Sequence, residues 1–385
     1  MSEKAIIYSE PADYFPKEVS EKFFPEINVD AERYNEIART MLIDMLENKK
    51  DQNIVFSPYS IYAILNMLLD STSGNTKDEV ARFLGDSDTV DTLSVMNRHM
   101  KESSQFISSN AAIVKNELKD YINDSYKKLL KDKYSAEYIS SADLINDVNN
   151  WVNEKTKGMI PEIANDSMTE MVAALLNAVA FQAEWAVIYE EDDIYDGDFK
   201  NTDKSISKVP MLHSSEDFYI ENEFFEGFIK PYEDLEFSFV GLRPRKNSKS
   251  FLKRAIMNMN ITELYDSAVD ADVRVSIPEY KIEYDKELSD VLKAEGIKQA
   301  FTDNADFSPM SSEVPLKVDS ILHKAYIEVD RNGTKASAVT MMVVECGCAP
   351  DFDRIKYVSL NHPFVYAIMH NKTHLPIFVG VVNQL

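Results

Sequence analysis

Tyr34, Ile37, Met41, Leu42 and Met45 recur at the spacing that stacks side chains on one face of a helix, and Ile61, Leu65, Leu68 and Leu69 repeat the pattern after Ser57-Pro58. Thr76 and Glu79 read as a capping box opening a short helix over Val80, Phe83 and Leu84, which Gly85 closes. Leu144, Val148, Trp151, Val152 and Thr156 predict another amphipathic helix, ending at Gly158. From there the period shortens. The segments 172–181, 237–242, 273–282, 317–329, 339–344, 364–368 and 377–382 are β-branched, aromatic or alternating, which predicts strands. One further helix, Leu288 to Glu295, interrupts them and is closed by Gly296. Helices first and strands mostly later, with no βαβ rhythm and no internal repeat, predict an α+β fold on large antiparallel or mixed sheets. Residues 1–30 mix polar and aromatic positions without a period and read as an N-terminal extension.

Composition narrows the functions. With 385 residues and 44% apolar side chains the chain can bury a large core. Its 41 Lys and Arg against 65 Asp and Glu leave a net charge of −24, which repels phosphate backbones, heparin-like polyanions and anionic lipid. Arg243, Arg245, Lys246 and Lys249 are the one basic cluster, read as a solvated hairpin or loop. The ten glycines stand at least eleven positions apart, so neither a glycine-rich phosphate cradle nor a G-x-S-x-G elbow can be built. The six histidines offer no H-E-x-x-H, and His370 and His374 read as surface residues at a hairpin tip, so no metal site is expected. Cys346 and Cys348, one residue apart, cannot staple distant parts of the chain. They lack the C-x-x-C spacing of a thiol oxidoreductase, and an enzyme is not expected. Met1 to Pro11 carries no leader pattern, and no stretch is apolar enough to span a membrane. The chain as it stands therefore suits the cytoplasm, with secretion the alternative if a leader has been removed.

The connection from Arg331 to Lys356 is long for a compact domain, and such loops are usually functional or disordered. Its first half has the pattern of a strand. Thr334, Ala336, Ala338, Thr340, Met342 and Val344 form one uncharged row, Lys335 and Glu345 fall on the other, and neither Gly nor Pro interrupts 334–345. The continuation, Cys346-Gly347-Cys348-Ala349-Pro350-Asp351, is turn-rich. The segment is a loop able to become a strand.

The run Gly333-Thr334-Lys335-Ala336-Ser337-Ala338-Val339-Thr340 resembles the hinge of the serpins, serine protease inhibitors that act as suicide substrates. Further landmarks stand in serpin order: Asn53 through Ser57-Pro58 to Ser60-Ile61, Trp151-Val152, Leu176-Asn177 through Phe181 to Trp185, Val209-Pro210-Met211, Ala305-Asp306-Phe307-Ser308, His323-Lys324-Ala325, Asn361-His362-Pro363-Phe364 and Phe378-Val379-Gly380. The resemblance implies one domain over 31–385, three β-sheets, eight or nine helices, and an exposed reactive-centre loop at 331–356.

It also implies a mechanism. A protease attacks the loop and forms an acyl-enzyme; the freed hinge then inserts as a strand in the central sheet and drags the protease with it. The partner is a serine protease held covalently, with no cofactor or nucleic acid; the protein is a monomer with loop-sheet polymerisation as a hazard. Thr334 enters first and the small Ala336, Ser337 and Ala338 follow. By the family pattern the scissile bond is Gly347-Cys348, which suits small-pocket enzymes of elastase or subtilisin type; Val344, Cys346 and Arg354 are alternatives in a lengthened loop. Ser57, Ser60, Asn177 and His323 match the polar cluster beneath the sheet opening, and Trp185 the aromatic at its top. Arg331 and Glu279 stand where the family carries the opposite signs, so a charge-swapped ion pair is expected. The rival readings are a carrier or chaperone that inhibits nothing and an inhibitor of cysteine proteases.

Overall fold

The computed structural model describes residues 31–48, 51–85, 92–100, 103–168, 171–334 and 355–385. Among them stand nine α-helices: α1 (Ala31–Asn48), α2 (Pro58–Ser71), α3 (Gly74–Leu84), α4 (Thr92–Met100), α5 (Asp124–Tyr134), α6 (Leu144–Lys155), α7 (Lys249–Met257), α8 (Ile261–Asp266) and α9 (Ser289–Ala294). The stripe from Tyr34 to Met45 is buried, as its spacing predicts, and the Tyr34 hydroxyl donates to the Pro376 carbonyl at 2.9 Å. Ser57 caps α2 and Pro58 opens it, where a missing N–H costs nothing.

Sixteen strands complete the described architecture: β1 (Ile54–Phe56), β2 (Phe106–Lys115), β3 (Glu137–Ser141), β4 (Ala173–Phe181), β5 (Ala183–Glu184), β6 (Ile194–Lys200), β7 (Ile206–Glu221), β8 (Phe225–Pro231), β9 (Phe237–Pro244), β10 (Val269–Pro278), β11 (Tyr280–Glu287), β12 (Leu322–Val329), β13 (Gly333–Thr334), β14 (Lys356–Ser359), β15 (Phe364–His370) and β16 (Leu375–Val382). One sheet runs β1-β16-β15-β9-β8 and joins a second, β6-β7-β10-β14, through the long β7, whose first half pairs with β6 and whose last residues pair with β8. The third is the central sheet. Its strands fall into β11-β12-β13-β5 and β3-β2-β4, and only Gln182 separates β4 from β5. Both neighbours of the central seam are thus known, but β4 and β12 share no paired residues among those described; β13 alone bridges the two halves.

Five expectations change. The α3 helix begins at Gly74, before Thr76, so there is no capping box; the Thr76 hydroxyl accepts from Asp306 N–H, and Glu79 accepts from Lys298 and Gln299 N–H. Tertiary partners win over the local motif. The predicted strand at 273–282 is two strands turning at Glu279, and that at 317–329 begins only at Leu322. His370 and His374 do flank a hairpin tip but are buried: Phe237 packs on His370, and α8 covers His374, where Thr262 donates to its carbonyl at 2.7 Å and Asp266 meets Nδ1 at 2.5 Å. Finally, the Arg243 to Lys249 cluster is not a free loop. Arg243 pairs with Glu226, Arg245 with Glu221, and Lys249 starts α7.

Candidate functional site

β12 carries the chain up the central sheet to Val329, and the turn 330–332 reverses it into β13. Asp330 shapes the turn: its carboxylate accepts from the N–H groups of Asn332 (2.7 Å) and Gly333 (3.1 Å), the local pattern that Asp favours at a turn. Gly333 pairs with Glu184 and Thr334 with Ala183 on one side, while Thr334 opposes Val329 on the other. A side chain at 333 would run into the Ala183 carbonyl and come within 2.7 Å of Glu184 Cα, so only glycine fits there. Thr334 is 2% exposed, and its hydroxyl meets that of Tyr232 at 2.7 Å. The long connection expected from Arg331 onward therefore begins inside the sheet.

A clasp of aromatic residues holds this first rung. Trp185 donates through its backbone N–H to Asn332 and through its indole to the Asp330 carbonyl, both at 2.9 Å. The Tyr189 N–H donates to the Arg331 carbonyl at 3.1 Å. The Trp185 ring stacks on Tyr232 with centroids 4.7 Å apart, edge-on to Phe239. Glu279 and Arg331 do meet, but not as the expected ion pair: the Glu279 carboxylate accepts the Arg331 backbone N–H at 3.3 Å. The contact needs no particular side chain at 331.

Lower down, the first turn of α2 straddles the two strands that face each other across the seam. The Ser57 N–H donates to His323 Nε2 on β12 at 3.1 Å, and its hydroxyl donates to the Ile377 carbonyl at 2.8 Å. One turn along, the Ser60 hydroxyl donates to the Asn177 carbonyl on β4 at 3.4 Å. Asn177 in turn donates its amide to Asn110 (2.8 Å) and Ser108 (3.0 Å) on β2, while its own buried Oδ1 has no partner. Burial lowers the His323 pKa to about 4, so the ring is neutral and free to accept. Beneath the seam lies a cavity of about 380 Å³ lined by Leu68, Val148, Val152, Leu176, Leu316 and Ile321 among others. An apolar trough between two strands, with hydrogen bonds holding its margins, is what an arriving strand with one apolar face could fill.

The structure brings Ser57, Ser60, Asn177 and His323 together, and places Trp185 against the turn 330–332. Lys335, Ala336, Ser337, Ala338, Val339 and Thr340, and the bond Gly347-Cys348 with its alternatives, lie outside the described residues. Sequence reading missed Tyr232 and Tyr189, which complete the clasp, and the buried Lys230–Glu216 ion pair beneath it. A lysine inside the apolar run Phe228-Ile229-Lys230-Pro231-Tyr232 was the available signal.

Comparison with known proteins agrees with this geometry. The sequence profile described as Serpin (serine protease inhibitor) matches residues 32–385. A leukocyte elastase inhibitor of Xenopus tropicalis is 29% identical over 361 residues, covering 87% of this chain and 93% of that protein. Intracellular coagulation inhibitor 1 of Tachypleus tridentatus is 29% identical over 358 residues, 86% of this chain and 84% of its own length. Among solved structures, the thermophilic serpin tengpin in its native state superposes with a TM-score of 0.80 at 31% identity, covering 94% of this chain and 96% of its own. Among the described residues no helix is long and apolar enough to cross a membrane.

Proposed function

The chain belongs to the serpin family, and on that footing we propose that it inhibits serine proteases as a suicide substrate, trapping the acyl-enzyme by inserting its cleaved loop between β4 and β12. The observation that carries this reading is the placement of Gly333–Thr334: the hinge is already paired between β12 and β5 at the head of a seam whose long strands are not paired with each other. A strand continuing from Thr334 would extend along that seam. Its even-numbered row, Ala336, Ala338 and Thr340, is small enough to pass and uncharged enough to bury. On the order of ten new backbone hydrogen bonds at about 1 kcal/mol each, with the apolar row removed from water, would favour the inserted state. The intact protein would then be held above that state by a kinetic barrier.

The target class follows from the loop. Glycine at 347 before the scissile bond fits a small primary pocket, of elastase or subtilisin type, and gives a trypsin-like pocket no charge to bind. The test is incubation with one protease of each of these three types, followed by denaturing gels and mass spectrometry of the released fragment. A detergent-stable complex with the elastase-type or subtilisin-type enzyme and a fragment starting at Cys348 is expected. Cleavage of the loop by all three without complex formation would instead make this a carrier or chaperone of the same fold.

A further inference from the structure

Below the clasp lies an ion pair that the hinge itself does not touch. Lys230 on β8 and Glu216 on β7 are 2% and 7% exposed at their side chains, and Lys230 Nζ meets Glu216 Oε1 at 2.9 Å. Two charges buried together are costly unless further hydrogen bonds satisfy them, and here each further partner leads to one segment. Lys230 donates to the Val187 carbonyl at 3.4 Å. Glu216 accepts the Ser214 hydroxyl at 2.6 Å, and Ser214 in turn meets the Tyr189 hydroxyl at 3.1 Å. The ammonium also lies 4.6 Å from the Tyr189 ring centroid and 5.4 Å from that of Trp185. Burial works against the charge on Lys230, but the adjoining Glu216 carboxylate and Tyr189 hold its pKa above the ordinary lysine value.

Segment 185–189 is the one whose N–H groups hold the carbonyls of Asp330, Arg331 and Asn332. We propose that Lys230 and Glu216 are positioning residues for strand insertion: they fix the 185–189 segment from beneath, and so keep Gly333–Thr334 in register at the head of the seam. Inserting residues must add to a rung that is already aligned. If the support loosens, β13 leaves its place more often and insertion slows, giving a bound protease more time to deacylate and escape. This inference rests on the inhibitory reading above and deepens it.

The test separates insertion from inhibition. In a Trp151→Phe background Trp185 is the only tryptophan of the chain, so its fluorescence after proteolytic nicking of the loop follows insertion without any trapped enzyme. Losing one charge-assisted hydrogen bond's worth of support amounts to about tenfold in rate. Glu216→Gln and Lys230→Met should therefore insert about tenfold more slowly than the parent and show a raised stoichiometry of inhibition, with the rate of first encounter with protease unchanged. Lys230→Arg should restore the insertion rate in part. Because Lys230→Met strands a buried carboxylate and can fail to fold, Lys230→Met/Glu216→Leu is measured beside it; with no charge left buried, that pair should fold and still insert slowly. Variants that lose thermal stability but insert at the parental rate would overturn the inference while leaving the inhibitory reading intact. A parent whose Trp185 signal never changes on nicking would overturn both.

Discussion

His323 links the α2 cap to β12, and its bond to Ser57 exists only while the ring is neutral. Protonation puts an N–H on Nε2, facing the Ser57 N–H, so the contact turns from attractive to repulsive. Burial lowers the folded-state pKa from 6.5 to about 4. Between those values the unfolded chain binds a proton that the folded chain refuses, so stability rises with pH across the window. The contribution is fully present above pH 6.5, erodes as pH falls, and is lost below about 4; the shift corresponds to roughly 3 kcal/mol in total, of which ~2 kcal/mol falls between pH 7 and pH 5. His362 and His370, also held low by burial at about 4 and about 3, add acid sensitivity of the same sign elsewhere in the fold. The perturbation is therefore His323→Gln, whose amide oxygen can still accept from Ser57 but does not titrate. Denaturant unfolding at pH 7 and pH 5 should show the parent losing ~2 kcal/mol more than the variant, and the parent forming loop-sheet polymers faster at pH 5. Equal acid losses in both proteins would refute the assignment of the switch to His323.

Three further outcomes follow from the hinge and the seam. Thr334→Arg forces a charge into a site 2% exposed beside Tyr232, at a cost of several kcal/mol, so the hinge should leave the sheet and the protein should be cleaved as a substrate, read as a steep rise in the stoichiometry of inhibition. Gly333→Ala drives a methyl group into the Ala183 carbonyl, an overpacking cost of about 1–3 kcal/mol, and should shift the Trp185 emission of the intact protein; an unchanged spectrum would contradict the described contact. Asn177→Ala removes two side-chain hydrogen bonds that β4 makes to β2 beside their backbone ladder, leaves the Asn110 acceptor unpaired, and should lower the unfolding free energy by about 1–3 kcal/mol in calorimetry or denaturant titration.

How much of this was legible in the chain depends on where each element draws its stability. α1, α2 and α6 were readable because their apolar residues repeat at helical spacing and bury where that spacing points. β7 was not: Pro210 breaks its pattern near the start, and Glu216, inside its second half, looks like a solvent-facing charge until Lys230 is brought against it from β8. Thr76 and Glu79 fit a local motif, but the 298–306 segment, more than 200 positions away in sequence, supplies the partners they take. His370 and His374 look like tip residues by spacing alone; nothing local reveals that Phe237 packs on the first and α8 covers the second. The polar cluster of Ser57, Ser60, Asn177 and His323 and the hinge glycine came through the family resemblance. Nothing local marks Tyr232, between Pro231 and Glu233, and only the fold shows its hydroxyl reaching Thr334. The Arg331–Glu279 expectation chose the right neighbours and the wrong atoms, because side-chain charge was visible in the sequence and the backbone N–H was not.

Strand insertion is the central claim, and it has a direct thermodynamic signature. The loop would be nicked at one bond by a protease that does not remain bound, and the melting temperature of the nicked protein, with both fragments still associated, would be compared with that of the intact protein. If residues from Lys335 onward join the seam between β4 and β12, about ten added hydrogen bonds should raise the midpoint by on the order of 10 °C or more. A nicked protein that melts at or below the intact one would contradict insertion, and with it the proposed mechanism of inhibition.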